Sequence, residues 1–277
     1  MKTSLSFSPC PNDTFIFDAM LHHKIDTEGL EFDLKMADID QLNHDGFKGE
    51  ADIIKLSFHA FAFLTDKYEI LDSGSALGNN CGPLLVSKNP GKDLSFFQNK
   101  KIGIPGKYTT ANFLLNLALP ECKDKIEMIF SEIEDAVIKG NVDAGLIIHE
   151  NRFTFQEKGL HRVIDLGEYW QNLTNAPIPL GGIAVKRSLP LDIKLKINRV
   201  LQKSVQYAFD NPLSGFDFIK QHAQEMEEKV IYNHINLYVN KFSLNLGKEG
   251  KRAIELLFEK ARKQNVIPEN SNNLFLT

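Results

Sequence analysis

Short apolar runs that stop at a small or polar residue and give way to a helical pattern recur along this chain. That alternation constrains the fold more than any other feature. Leu5-Ser6-Phe7 leads through Ser8-Pro9-Cys10-Pro11-Asn12-Asp13-Thr14 into an apolar helical stretch over 15–21. The run 51–56 meets Ser57 and a helix predicted over 58–64, and 101–104 leads through Pro105-Gly106-Lys107-Tyr108-Thr109-Thr110 into an apolar helix over 111–119. Strands alternating with helices predict an α/β fold. The clearest run is Ala144-Gly145-Leu146-Ile147-Ile148-His149-Glu150-Asn151-Arg152, where the apolar residues end abruptly at His149. It reads as a buried strand of a parallel sheet. In open α/β sheets ligands sit beyond the carboxyl ends of the strands, so His149 is expected to face a cleft.

The remaining pattern predicts strands over 30–36, 68–71, 83–87, 125–130, 163–166 and 183–185, with a loop at 74–78. A short helix is expected over 39–47. Ser131-Glu132-Ile133-Glu134 has the spacing of a capping box at the start of another, which Gly140 would end. From Pro190 onward the apolar residues recur every three or four positions, predicting packed helices over 193–209, 213–222, 228–240 and 248–264. At 277 residues the chain exceeds a typical domain of about 100–150 residues. Two crossover segments, Lys88-Asn89-Pro90-Gly91 and Pro177-Ile178-Pro179-Leu180-Gly181-Gly182, suggest two lobes: 1–87 with 183–277, and 88–182.

The formal net charge is -4, with Lys and Arg spread along the chain, so nucleic acid is not an expected partner. Three cysteines without a CxxC pair suggest neither a disulfide framework nor a zinc site, and no HExxH spacing points to a metal. Gly74 to Gly78 and Gly247 to Lys251 lack dinucleotide and P-loop spacing, and no G-x-S-x-G elbow is present. Neither a secretory pattern nor a bilayer-spanning run is visible, so the expectation is a cytoplasmic protein with no membrane partner.

Four features converge on strand carboxyl ends: the Asn12 turn, Ser57, Thr109 with Thr110, and His149. Asn12 or Asp13 would cap its helix, and Gly106 would let backbone approach a ligand beside the Thr109 and Thr110 hydroxyls. Lys55 falls in a buried-strand context and needs an anionic partner: a substrate carboxylate, or an Asp from a neighbouring element. Together these describe a pocket for a small anion, with one imidazole able to move a proton near neutral pH. His59 is the reserve base. The other histidines, His234 among them, are expected in surface or packing roles.

Ser8-Pro9-Cys10-Pro11-Asn12-Asp13-Thr14-Phe15, Lys55-Leu56-Ser57, Pro105-Gly106-Lys107-Tyr108-Thr109-Thr110-Ala111, Gly145 through Thr154 and Tyr238-Val239-Asn240-Lys241-Phe242-Ser243 resemble the 1,4-dihydroxy-6-naphthoate synthase family of the futalosine route to menaquinone. The pattern departs at Asn151, where the family carries Ser. The resemblance implies a two-lobed type II periplasmic-binding-protein-like fold with a ligand cleft between the lobes. It also implies a cofactor-free lyase that converts cyclic dehypoxanthinyl futalosine to 1,4-dihydroxy-6-naphthoate, releasing a three-carbon sugar fragment (dihydroxyacetone). His149 would be the proton acceptor, and Lys55, Leu56, Ser57, Thr109 and Thr110 would bind the small-molecule carboxylate substrate. A non-catalytic receptor for a small carboxylate and the chorismate dehydratase of the same pathway are the competing readings. The sequence leaves self-association open.

Overall fold

The computed structural model describes residues 2–223, 227–269 and 272–277. The backbone divides into two compact units, Met1–Gly78 with Pro179–Thr277, and Asn79–Ile178. In the first lie β1 (Lys2–Phe7), α1 (Pro11–Leu21), β2 (Glu31–Met36), α2 (Ile39–Lys48), β3 (Ile53–Ser57), the single turn α3 (Phe58–Phe61), β4 (Tyr68–Ile70) and β5 (Ala76–Gly78). The second contains β6 (Leu84–Ser87), β7 (Ile102–Ile104), α4 (Thr110–Ala118), β8 (Lys125–Glu127), α5 (Ile133–Lys139), β9 (Ala144–Ile147), α6 (Asn151–Thr154), β10 (His161–Asp165) and α7 (Leu166–Thr174). With β11 (Ile178–Lys186) the chain returns to the first unit, which α8 (Leu191–Asp210), α9 (Phe216–His222), α10 (Glu228–Tyr238), α11 (Lys241–Leu244) and α12 (Gly247–Lys263) complete. No described helix is long and apolar enough to cross a membrane. The strand over 84–87, grouped with the first lobe from sequence, hydrogen-bonds within the sheet of the second unit.

The two sheets share one plan. The first runs β2-β1-β3-β11-β4, with β5 also paired to β11, and the second runs β10-β6-β9-β7-β8. In the first, β1 is parallel to both β2 and β3, whereas β11 is antiparallel to β3 and β4. The second repeats this: β7 is parallel to β8 and β9, and β6 lies antiparallel between β9 and β10. In each sheet the intruding antiparallel strand is the one that enters from a crossover. The sheet holding β9 is therefore mixed and not purely parallel, because an apolar run carries no information about strand direction.

This plan places a topological switch point in each unit. From β1 the chain moves to β2 on one side and then to β3 on the other, so the carboxyl ends of β1 and β3 are neighbours from which connections diverge. The same holds for β7 and β9. Such points are where open α/β sheets bind ligands.

Each unit has its own apolar core. In the first, Leu5 and Phe7 of β1, Phe15, Ile16, Phe17 and Met20 of α1, and Ile197, Val200, Leu201 and Val205 of α8 pack together. All of α1 from Pro11 to Met20 is buried, its polar Asn12, Asp13, Thr14 and Asp18 included, so it shows no amphipathic stripe. In the second, Leu84, Val86, Phe130, Ile133, Val137, Ile147 and Leu160 form the core. The helix expected over 58–64 is only the turn α3, followed by irregular backbone. The loop expected at 74–78 contains β5.

Candidate functional site

In the first unit the switch point is built around Asp13, which is fully buried. The N-cap of α1 is Cys10, with no side-chain cap and Pro11 at the first position, so neither Asn12 nor Asp13 caps the helix as expected. Their side chains turn to longer-range partners instead. Oδ2 of Asp13 accepts from Ser8 Oγ at 2.9 Å and from Ser8 N at 3.3 Å. Oδ1 accepts from Asn12 Nδ2 at 2.7 Å and from Lys55 Nζ at 2.5 Å. Four donors on one carboxylate match its lone-pair capacity. Lys55 thus meets an Asp from a neighbouring element, and its charge is compensated inside the unit.

The network continues to α10, where His234 Nε2 lies 2.9 Å from Asn12 Oδ1. Because Asn12 donates its amide N–H to Asp13, its oxygen is the acceptor, which makes His234 Nε2 the donor and fixes the tautomer. His234 is fully buried and its ring packs 4.6 Å from Tyr238. No sequence signal marked it, because its partner is 222 positions away.

Ser57 ends β3 and is bracketed by one side chain. Its backbone N–H donates to Asn43 Oδ1 at 2.9 Å, and its Oγ accepts from Asn43 Nδ2 at 3.0 Å. Asn43 lies on the buried face of α2 and was not singled out from sequence. Leu56 is fully buried, its side chain on the side of α2 against the position of Gly46. Across the sheet Gly181 pairs with Ser57, and a Cβ there would sit 2.7 Å from the Leu56 carbonyl oxygen and 3.4 Å from Lys55 Cε. Glycine at that position lets β11 lie close to the Leu56 carbonyl. His59 is buried edge-on to Phe63, with ring centroids 5.6 Å apart.

In the second unit, Thr109 is the N-cap of α4. Its Oγ1 donates to the Gly106 carbonyl at 2.8 Å and accepts from Asn112 N at 3.2 Å. Gly106 has φ +118°, a conformation that disfavours any side chain, and this turn brings Thr109 onto the helix end. Thr110 is the first helical residue and is buried. The positive end of the α4 dipole lies just past β7, next to the end of β9.

His149 follows β9 with φ +57°, left-handed backbone that costs a non-glycine residue about 1–3 kcal/mol. Its half-buried ring stands edge-on to Phe130, with centroids 4.8 Å apart. The residues after it are tied down at two places. Asn151 Nδ2 donates to Glu134 Oε2 at 2.5 Å. Arg152 donates to Asp165 at 2.6 Å and to the Gly82 carbonyl at 2.5 Å, while Asp165 Oδ1 caps α7. Burial pushes the thiol of Cys81, next to this pair, up to about 12, so it stays protonated. The capping box expected at Ser131 and Glu134 does not form: a 3₁₀ turn over Phe130–Glu132 precedes α5, and Glu134 faces Asn151 and Lys158 instead.

The expected residues are thus carried in two sets, Lys55, Leu56 and Ser57 on the first unit, and Thr109, Thr110 and His149 on the second. Each set stands at its own unit's switch point.

A family profile described as menaquinone biosynthesis matches residues 3–263. A curated 1,4-dihydroxy-6-naphthoate synthase of Thermus thermophilus is 39% identical over 272 residues, covering 98% of each chain. The enzyme of that name from Streptomyces coelicolor is 38% identical over 269 residues, covering 95% of this chain and 94% of that one. Among solved structures, a protein from Archaeoglobus fulgidus superposes with a TM-score of 0.90 at 34% identity, covering 96% of this chain and 98% of that one. The alkanesulfonate-binding protein of Xanthomonas axonopodis, bound to MOPS, gives a TM-score of 0.74 at 12% identity, covering 99% and 96%. The latter likeness shows the fold, the two-lobed α/β architecture of periplasmic binding proteins. Matched over nearly its whole length by profile and relatives alike, the chain belongs to the 1,4-dihydroxy-6-naphthoate synthase family of menaquinone biosynthesis, a family of enzymes.

Proposed function

We propose that this chain converts cyclic dehypoxanthinyl futalosine into 1,4-dihydroxy-6-naphthoate and dihydroxyacetone, with His149 as general base and without a cofactor. The observation that carries the reading is the left-handed backbone of His149 at the end of β9, beside the start of α4. A side chain held there at a conformational cost is placed for chemistry more readily than for packing. The imidazole removes a proton, a carbon–carbon bond breaks in retro-aldol fashion, and aromatisation of the product drives the step. Negative charge developing on oxygen is stabilised by the positive end of α4 at Thr109 and Thr110. Since the Thr109 hydroxyl is engaged in capping, its part is to fix that helix end.

Lys55, Leu56 and Ser57 are the substrate contacts of the first unit. The Ser57 oxygen takes an N–H from Asn43 and so keeps its own proton to donate to an acceptor on the substrate. Leu56 contributes its backbone, and Lys55 acts as one half of a compensated pair. The relatives' shared name supports this reaction. Three buried free cysteines fit a reducing, cytoplasmic setting.

The test is incubation of purified protein with cyclic dehypoxanthinyl futalosine, without metal or nucleotide, with naphthoate followed by liquid chromatography. His149→Ala is expected to lower turnover by about 10² to 10⁴-fold. A variant with near-wild-type rate removes His149 as the base. Turnover of chorismate in place of the futalosine derivative moves the chain to a dehydratase, and binding of a small aromatic carboxylate with no turnover of either makes it a receptor.

A further inference from the structure

We propose that Glu134, acting through Asn151, is a positioning residue for His149, anchoring the turn that carries the imidazole. The inference rests on the reading of His149 as the base. The backbone of His149 is held in the left-handed region, and the next element is the four-residue helix α6. So short a helix cannot hold its own start, and an outside anchor is required. Asn151 at its first position supplies one by donating to Glu134 Oε2 at 2.5 Å.

Glu134 stands on a segment that already surrounds the histidine. Phe130, just before α5, meets the imidazole ring edge-on. Ile133, the neighbour of Glu134, covers Gly145 of β9 so closely that a Cβ there would lie 2.4 Å from its Cγ2. One stretch, 130–134, therefore touches the strand before His149, the ring of His149 and the helix after it.

The chemistry of Glu134 argues against a role in stability alone. Its carboxylate is 1% exposed; Oε2 also pairs with Lys158 Nζ at 2.7 Å, while Oε1 is buried with no partner among the described residues. A half-satisfied buried carboxylate is a poor way to fill a core, and an apolar side chain would cost less. It does give Asn151 a charged acceptor with a defined direction.

The experiment exchanges the polarity of the pair. Asn151→Asp sets two carboxylates against each other, and Glu134→Gln with Asn151→Asp restores one donor and one acceptor at unchanged net charge. With cyclic dehypoxanthinyl futalosine as substrate, Asn151→Asp is expected to lower kcat about 10- to 100-fold at nearly unchanged KM, and the double variant to recover most of the loss. Melting curves confirm that each variant is folded. Asn151→Leu, similar in shape, is measured alongside, so kcat remains readable if the Asp variant does not fold. Wild-type kcat in Asn151→Leu or Asn151→Asp, or a folded double variant no better than the folded Asp single, overturns the positioning role while an inactive His149→Ala leaves the base reading standing. An active His149→Ala overturns the base reading and this inference with it.

Discussion

Asp13 gathers four donors, one of them the Lys55 ammonium, and so leaves that lysine little net charge to offer a ligand. Recognition of an anion in the first unit then falls to neutral donors such as the Ser57 hydroxyl. The pair makes a quantitative demand on stability. Removing one partner of a buried ion pair strands the other charge, typically at about 3–5 kcal/mol, whereas removing both charges is far milder. Lys55→Met is therefore expected to lower unfolding free energy in urea by roughly that amount, and adding Asp13→Asn should recover part of it. A double variant no more stable than Lys55→Met would mean that the charge pair is not what holds this corner.

The elements show which information is local. Apolar runs marked strands because burial on a sheet is written into neighbouring residues, and His149 could be placed at a strand end for the same reason. The N-terminal caps of α1 and α5 differ from those expected because their polar residues answer to distant partners: Asp13 to Lys55, Asn12 to His234, Glu134 to Asn151 and Lys158. Asn43 carries no pattern that distinguishes it from ordinary polar surface, and the segment over 238–243 carries the family resemblance without showing that Asn240 and Ser243 form the capping box of α11.

One polar link between elements carries a pH signature. Hydrogen bonds from Arg199 and then Lys203 on α8 hold the Glu28 carboxyl down at about 2 from an ordinary value of 4.5. A carboxyl lowered on folding stabilises the folded state above its unfolded value, so the contribution is present at neutral pH and fades as pH falls below about 4.5 toward 2. Glu28→Gln should melt below wild type at neutral pH, with the gap closing in that acid window and shrinking in high salt. A gap that stays constant down to acid pH would remove Glu28 as the cause.

At the scale of the whole molecule, the second unit is one continuous segment with five strands and its own core, a size at which domains commonly fold alone. The first unit is split, and β11, from its second piece, lies between β3 and β4. A fragment of residues 79–178 is accordingly expected to give a cooperative thermal transition and a dispersed amide spectrum, and a fragment of residues 1–78 neither. A collapsed or molten 79–178 fragment would show that this unit depends on the rest of the chain.

The insertion of β11 between β3 and β4 also sets a timetable on the ribosome. Strands β1 to β4 emerge early, yet their sheet cannot close until the segment ending at Lys186 has been made. At roughly 5–20 residues per second, the 79–178 segment takes about 5–20 s to synthesise. For that interval β3 and β4 wait with unpaired edges while the second unit can already fold. The nascent chain is then most exposed to misassociation, and trigger-type chaperones would have most to shield, in the half of the protein synthesised first.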